Sequence, residues 1–140
     1  MAVAAGGDPD SVAKVAGEAS AAMVISQGGT PEDVTTAALE SVAAHGGSLE
    51  AQALAAARAV DIRGGSFQEA SKAAIHAAEK VGAPADTVHK TAALAASACL
   101  LGQGGSVEEA AQAAASAARM AGASPDEAAE LAGKVGGMLR

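Results

Sequence analysis

The sequence predicts an all-α protein of about seven short helices, antiparallel or steeply crossed, stacked as an α-solenoid-like array or a compact helical bundle. Three observations carry this. A pair of small residues led by glycine recurs every 18 or 22 residues: Gly6-Gly7, Gly28-Gly29, Gly46-Gly47, Gly64-Gly65, Gly82-Ala83, Gly104-Gly105 and Gly122-Ala123. The residue after each pair is usually a helix N-cap type: Asp8, Thr30, Ser48, Ser66, Ser106 and Ser124. Between pairs the apolar residues fall at helical rather than alternating spacing. Repetition at this period is the mark of stacked helical units that cannot bury an apolar face alone.

The starts follow from capping chemistry, because a Ser, Thr or Asp side chain accepts a hydrogen bond from a first-turn amide that has no partner inside the helix. Asp33, Glu69, Glu109 and Glu127 stand three residues after a cap and complete a capping-box pattern in four copies. Pro9, Pro31 and Pro125 fall at the first helical position, where a missing N–H is harmless. The stops follow from glycine, which takes the left-handed conformation after a last turn at little cost.

Taken in order, a first helix over Pro9–Gln27 follows Asp8 and is apolar towards its end. Helices over Pro31–His45, Leu49–Arg63 and Phe67–Val81 follow the caps Thr30, Ser48 and Ser66. The fifth, Ala85–Leu101, has Pro84 in the cap slot, so Asp86 is expected to cap instead. It is the least amphipathic, with Leu94 in a slot that is polar elsewhere, and is expected to lie centrally. Val107–Ala121 follows Ser106, and Pro125–Val135 is expected to end early at Gly136-Gly137. Met1–Ala5 reads as the last turn of a preceding helix, and Met138-Leu139-Arg140 as a frayed end or the start of another copy. Linkers of about two residues make successive helices packed neighbours.

A second level of repetition matches residues 76 apart, as in Asp10/Asp86, Val12/Val88, Lys14/Lys90, Gln27/Gln103 and Glu32/Glu108. The chain therefore reads as one domain, 1–140, in which a four-helix block, 6–81, recurs as 82–140 without its last helix. The two long copies each carry an added apolar turn, Met23-Val24-Ile25 and Cys99-Leu100-Leu101.

Alanine supplies 42 of the 140 residues, against one Phe and no Trp or Tyr. The core must be built from many small contacts, each buried methyl contributing roughly 0.8 kcal/mol. Alanine faces also let helix axes approach closely, to about the low end of the usual 8–10 Å. Eleven of the sixteen acids sit at helix starts, where they complement the helix dipole, so the net charge of −7 does not by itself imply a basic partner. The nine basic residues form no stripe, which argues against nucleic-acid binding. No apolar run approaches the ~20 residues that span a bilayer. The absence of a signal-like start and the single cysteine favour an intracellular setting.

No catalytic, cofactor or metal site is expected. His45, His76 and His89 do not pair on one helix face, whereas a metal needs three or four converging ligands. Cys99 lies among Ala98, Leu100 and Leu101 as a small buried hydrophobe. Gly102-Gln103-Gly104-Gly105-Ser106 resembles a phosphate loop but follows a helix and recurs as a connector. Asp61 is expected to pair with Arg58 on the surface.

The expected function is that of a non-enzymatic helical-repeat scaffold, a structural or interaction module binding another protein or its own copies as a homo-oligomer. The candidate contact surface is Met23, Val24, Ile25, Cys99, Leu100 and Leu101. In composition the chain also resembles the alanine-rich helical antifreeze proteins, which would imply ice binding, although Thr30, Thr35, Thr36, Thr87 and Thr91 are irregularly spaced. A third expectation is a carrier of an apolar ligand in the helical core.

Overall fold

A computed structural model describes residues 9–62 and 64–138. Among them are seven helices and no strand: α1 (Pro9–Ser26), α2 (Pro31–Ala44), α3 (Leu49–Ile62), α4 (Phe67–Lys80), α5 (Ala85–Gly102), α6 (Val107–Met120) and α7 (Pro125–Met138). The expectations for Met1–Ala5, for the Asp8 cap and for Leu139-Arg140 fall outside the described residues. All seven helices start at the residues expected from the sequence. Thr30/Asp33, Ser66/Glu69 and Ser106/Glu109 each form both hydrogen bonds of a capping box.

One cap and one helix end differ from what the sequence suggests. Asp86 does not cap α5; the cap is Pro84, which makes no side-chain bond and contributes only its carbonyl, accepting from the Val88 amide at 3.0 Å. Helix α7 runs through Gly136-Gly137 to Met138, with no left-handed glycine there. Glycine lowers helix propensity by about 1 kcal/mol but does not forbid the helix. It stops a chain where a left-handed turn can lead into the next capped start.

That turn is the same at all six described linkers. Gly28, Gly46, Gly64, Gly82, Gly104 and Gly122 all have positive φ, between 72° and 108°. The amide of each such glycine bonds the carbonyl three residues back, and the next amide bonds the carbonyl five back, as in Gly104 to Leu101 (3.0 Å) and Gly105 to Leu100 (2.8 Å). This double closure requires a positive φ, and so glycine, at the first position. The second is Ala83 or Ala123 in two copies, whereas after the two long helices a Cβ at Gly29 would collide with Val24 and one at Gly105 would stand 2.9 Å from the Leu100 carbonyl oxygen.

Each helix packs extensively against the next and, apart from the broad α3–α5 contact, more narrowly against the next but one. Odd helices α1, α3, α5 and α7 form one layer and even helices α2, α4 and α6 the other. Contacts within the odd layer are the broader, above all between α3 and α5. Helices in a layer run parallel: the last turns of α3 and α5 meet through Cys99 and Asp61, and the first turns of α5 and α7 through His89 and Glu127. As expected from its all-round apolar surface, α5 is central, touching α3, α4, α6 and α7.

Alanine dominates the core, with Val34, Val42, Val60 and Cys99 among its largest fully buried side chains. The alanine repeated once per copy is buried in α2 to α6 (Ala38, Ala56, Ala74, Ala92, Ala114) and half-buried in the outer helices α1 and α7 (Ala16, Ala132). Fully buried Ala92, Ala96 and Ala117 join the α5–α6 contact, closed by the side chains of Phe67, Ile75 and Leu100. Ser71 Oγ lies 2.9 Å from its own-helix Phe67 carbonyl and 3.4 Å from the Ala92 carbonyl, a distance reached only because the facing residues are small. Helices α1 and α2 approach closely at Gly17, where an added Cβ would stand 2.7 Å from Val42 Cγ2.

Candidate functional site

The odd layer differs between its two ends. In α1 and α3, Arg58 Nε stands 3.0 Å from Glu18 Oε2, an electrostatic contact without a well-directed hydrogen bond at that oxygen. Thus Arg58 pairs with α1 and not with Asp61. The Asp61 carboxylate instead accepts from Cys99 Sγ at 3.3 Å and lies against Gly102, where any Cβ would collide with it.

Seventy-six residues on, Leu94 stands in place of Glu18 and Lys134 in place of Arg58. Here the layer opens into a groove of about 500 Å³ between α3, α5 and α7. Its apolar lining is Leu49 from α3, Ala93 and Leu94 from α5, and Leu131 and Val135 from α7. Ser48, Thr87 and Thr91 contribute hydroxyl groups; Lys90, Lys134 and Glu50 contribute charge. Both lysines are exposed and outnumber the one acid of the lining, Glu50, so the groove carries a small positive excess on an acidic molecule. An apolar floor beside two ammonium groups suits a ligand that is apolar over most of its surface and carries a carboxylate.

One turn before the groove, the first turns of α5 and α7 bring together three side chains that carry ligand atoms. His89 is 8% exposed, and its Nδ1 lies 2.8 Å from Glu127 Oε2. Asp86, exposed and one turn before His89 on α5, joins them, with one donor atom from each residue within 4.8 Å of the others. The fourth capping box is altered as a result. The Glu127 amide still donates to Ser124 Oγ (3.1 Å), but its carboxylate turns to His89 rather than closing on its own cap.

This cluster escaped the sequence reading, which compared histidines only with one another. Asp86 and His89 are three apart on one helix, and Glu127 lies 38 residues further on, within the reach that links parallel helices of one layer. The signal present in the sequence was the internal comparison, since the residues 76 before His89 and Glu127 are Ala13 and Ala51. The other histidines are both exposed; His45 Nδ1 bonds the Ser41 carbonyl at 2.8 Å at the end of α2.

The six residues of the anticipated contact surface do not share one environment. Met23 and Ile25 are exposed, 60% and 40%, while Val24 packs against the α1–α3 core. Leu100 and Leu101 are half-buried, and Cys99 is wholly enclosed. Of the threonines, Thr30 caps α2 and Thr35 and Thr91 are buried. No helix among the described residues is long and apolar enough to cross a membrane.

The fold and groove define a two-layer α-helical repeat with an open seam in its odd layer. No family model, curated protein or solved structure matches the chain.

Proposed function

We propose that the chain is a non-enzymatic helical-repeat module that binds an apolar, carboxylate-bearing segment of another protein in the groove between α3, α5 and α7. The observation that carries this reading is the exchange of Glu18 and Arg58 for Leu94 and Lys134 at corresponding places in the layer. The first pair places opposite charges across its seam. The second leaves an apolar floor next to a cation. A second reading, a carrier of an apolar small molecule such as a fatty acid, is favoured by the size of the groove, since about 500 Å³ lies within the range of small-molecule sites.

A photo-crosslinking side chain placed at Leu94, and separately at its counterpart Glu18, tests both. A peptide adduct formed at position 94 and absent at 18 supports protein binding, and a lipid-mass adduct at 94 supports the carrier. Equal labelling at the two positions, or none at 94, contradicts the groove as a binding site. Self-association is the third use open to the module, through the exposed Met23 and Ile25 at the end of α1. Light scattering on an Ile25→Glu variant reads it directly: a fall in mass supports it, and an unchanged mass removes it.

A further inference from the structure

We propose that Asp86, His89 and Glu127 bind a divalent transition-metal ion of the zinc class at the start of the α5–α7 seam. Three features converge there. The donor set is one imidazole and two carboxylates, drawn from two helices and already gathered within 4.8 Å. His89 is buried where a solvated or capping histidine would not be, and its ring is oriented by a 2.8 Å contact to Glu127. Glu127 has given up half of the capping role that Glu69 and Glu109 fulfil at the same step of their copies.

The internal repeat separates architecture from chemistry. At the corresponding start of the α1–α3 seam stand Asp10, Ala13 and Ala51. The acid before the histidine position is thus a general feature of a helix start. His89 and Glu127 are additions where the same architecture is built with alanine.

Bond lengths of roughly 2.0–2.2 Å to nitrogen and oxygen place tetrahedral ligand atoms about 3.4 Å apart. Metal entry therefore widens the His89–Glu127 contact by about half an ångström and draws the exposed Asp86 inward, with the metal replacing the proton between Nδ1 and Oε2. A nitrogen donor beside two carboxylates favours zinc, cobalt or nickel over calcium or magnesium, which take all-oxygen shells. Three protein ligands at a half-open surface leave a fourth position for water.

The test is calorimetric titration of the full chain with zinc chloride, with cobalt(II) absorption as the geometric readout. Expected are one ion per chain, a visible cobalt band of tetrahedral intensity, and a rise in thermal midpoint with zinc. His89→Ala and Glu127→Gln should each weaken binding by at least roughly tenfold, the scale on which lost ligands and their supports act. Glu127→Gln retains a hydrogen-bonding partner for His89, so a purely structural pair would leave its zinc affinity unchanged and that result overturns the proposal. His45→Ala and His76→Ala should bind as the parent does. Binding absent up to millimolar zinc, or lost only with His45 or His76, also overturns it.

Discussion

The helix pairs α1/α3 and α5/α7 are neighbours in one layer and have the same lengths, and their bounds lie 76 residues apart throughout: Pro9–Ser26 and Ala85–Gly102, Leu49–Ile62 and Pro125–Met138. They diverge where they face each other. The α1/α3 seam has Ala55 and Ala59 on α3 and the Glu18–Arg58 pair, and it packs more extensively than its counterpart. The α5/α7 seam has Leu131 and Val135 instead, with His89, Leu94, Glu127 and Lys134 nearby. Small side chains bring parallel helices together, and larger ones hold them apart and leave a groove beside them. A repeated scaffold can thus vary one seam while its helix bounds stay in register.

The substitution expected to break the array most severely enlarges the central helix. Ala96, wholly buried on α5, should lose about 1–3 kcal/mol as Ala96→Leu, the usual scale of overpacking. The residue 76 earlier is half-buried Ser20 on the outer helix α1, and Ser20→Leu should change stability by no more than about 0.5 kcal/mol. Thermal unfolding checks both; equal losses would show that α1 is as enclosed as α5.

The stops should respond alike in the two halves. Gly28→Ala and Gly104→Ala force alanine to φ of 77° and 86°, and each should cost about 1–2 kcal/mol. Unequal losses in urea titrations would mean that the two linkers are not held the same way. The starts come next: Thr30→Ala and Ser106→Ala each remove a cap accepting from the third residue of its helix, at about 1 kcal/mol apiece. The smallest effect belongs to the seam itself. Glu18→Leu removes a partly exposed ion pair, so stability should move by less than about 1 kcal/mol.

These expectations also mark what was legible in the sequence. Helix starts were, because a cap acts within four residues and its chemistry is carried by the side chains concerned. The left-handed glycines were legible for the same reason. The end of α7 was not, because Gly136 and Gly137 carry the stop residue without the turn into another capped helix that gives it effect. Pro84 was misread because its carbonyl alone suffices to start α5. The partners of Asp61, Arg58, His89 and Glu127 all lie 38 or 40 residues away on a parallel helix, beyond any local pattern. The slot comparison that singles out Leu94 extends to His89 and Glu127 when the two halves are set against each other, since these stand where the same scaffold carries Ala13 and Ala51.

The most direct test of the difference between the seams converts one into the other. In the double variant Leu94→Glu/Lys134→Arg the α5/α7 seam acquires the ion-pair residues that stand between α1 and α3, without touching a cap, a stop or the Asp86–His89–Glu127 cluster. Native mass spectrometry of the parent chain and this variant, each isolated undenatured from the cells that make it, reads occupancy of the groove. Expected is a bound mass on the parent that the variant lacks, with equal helical circular dichroism for both. The same masses on both folded proteins would contradict a groove opened for binding.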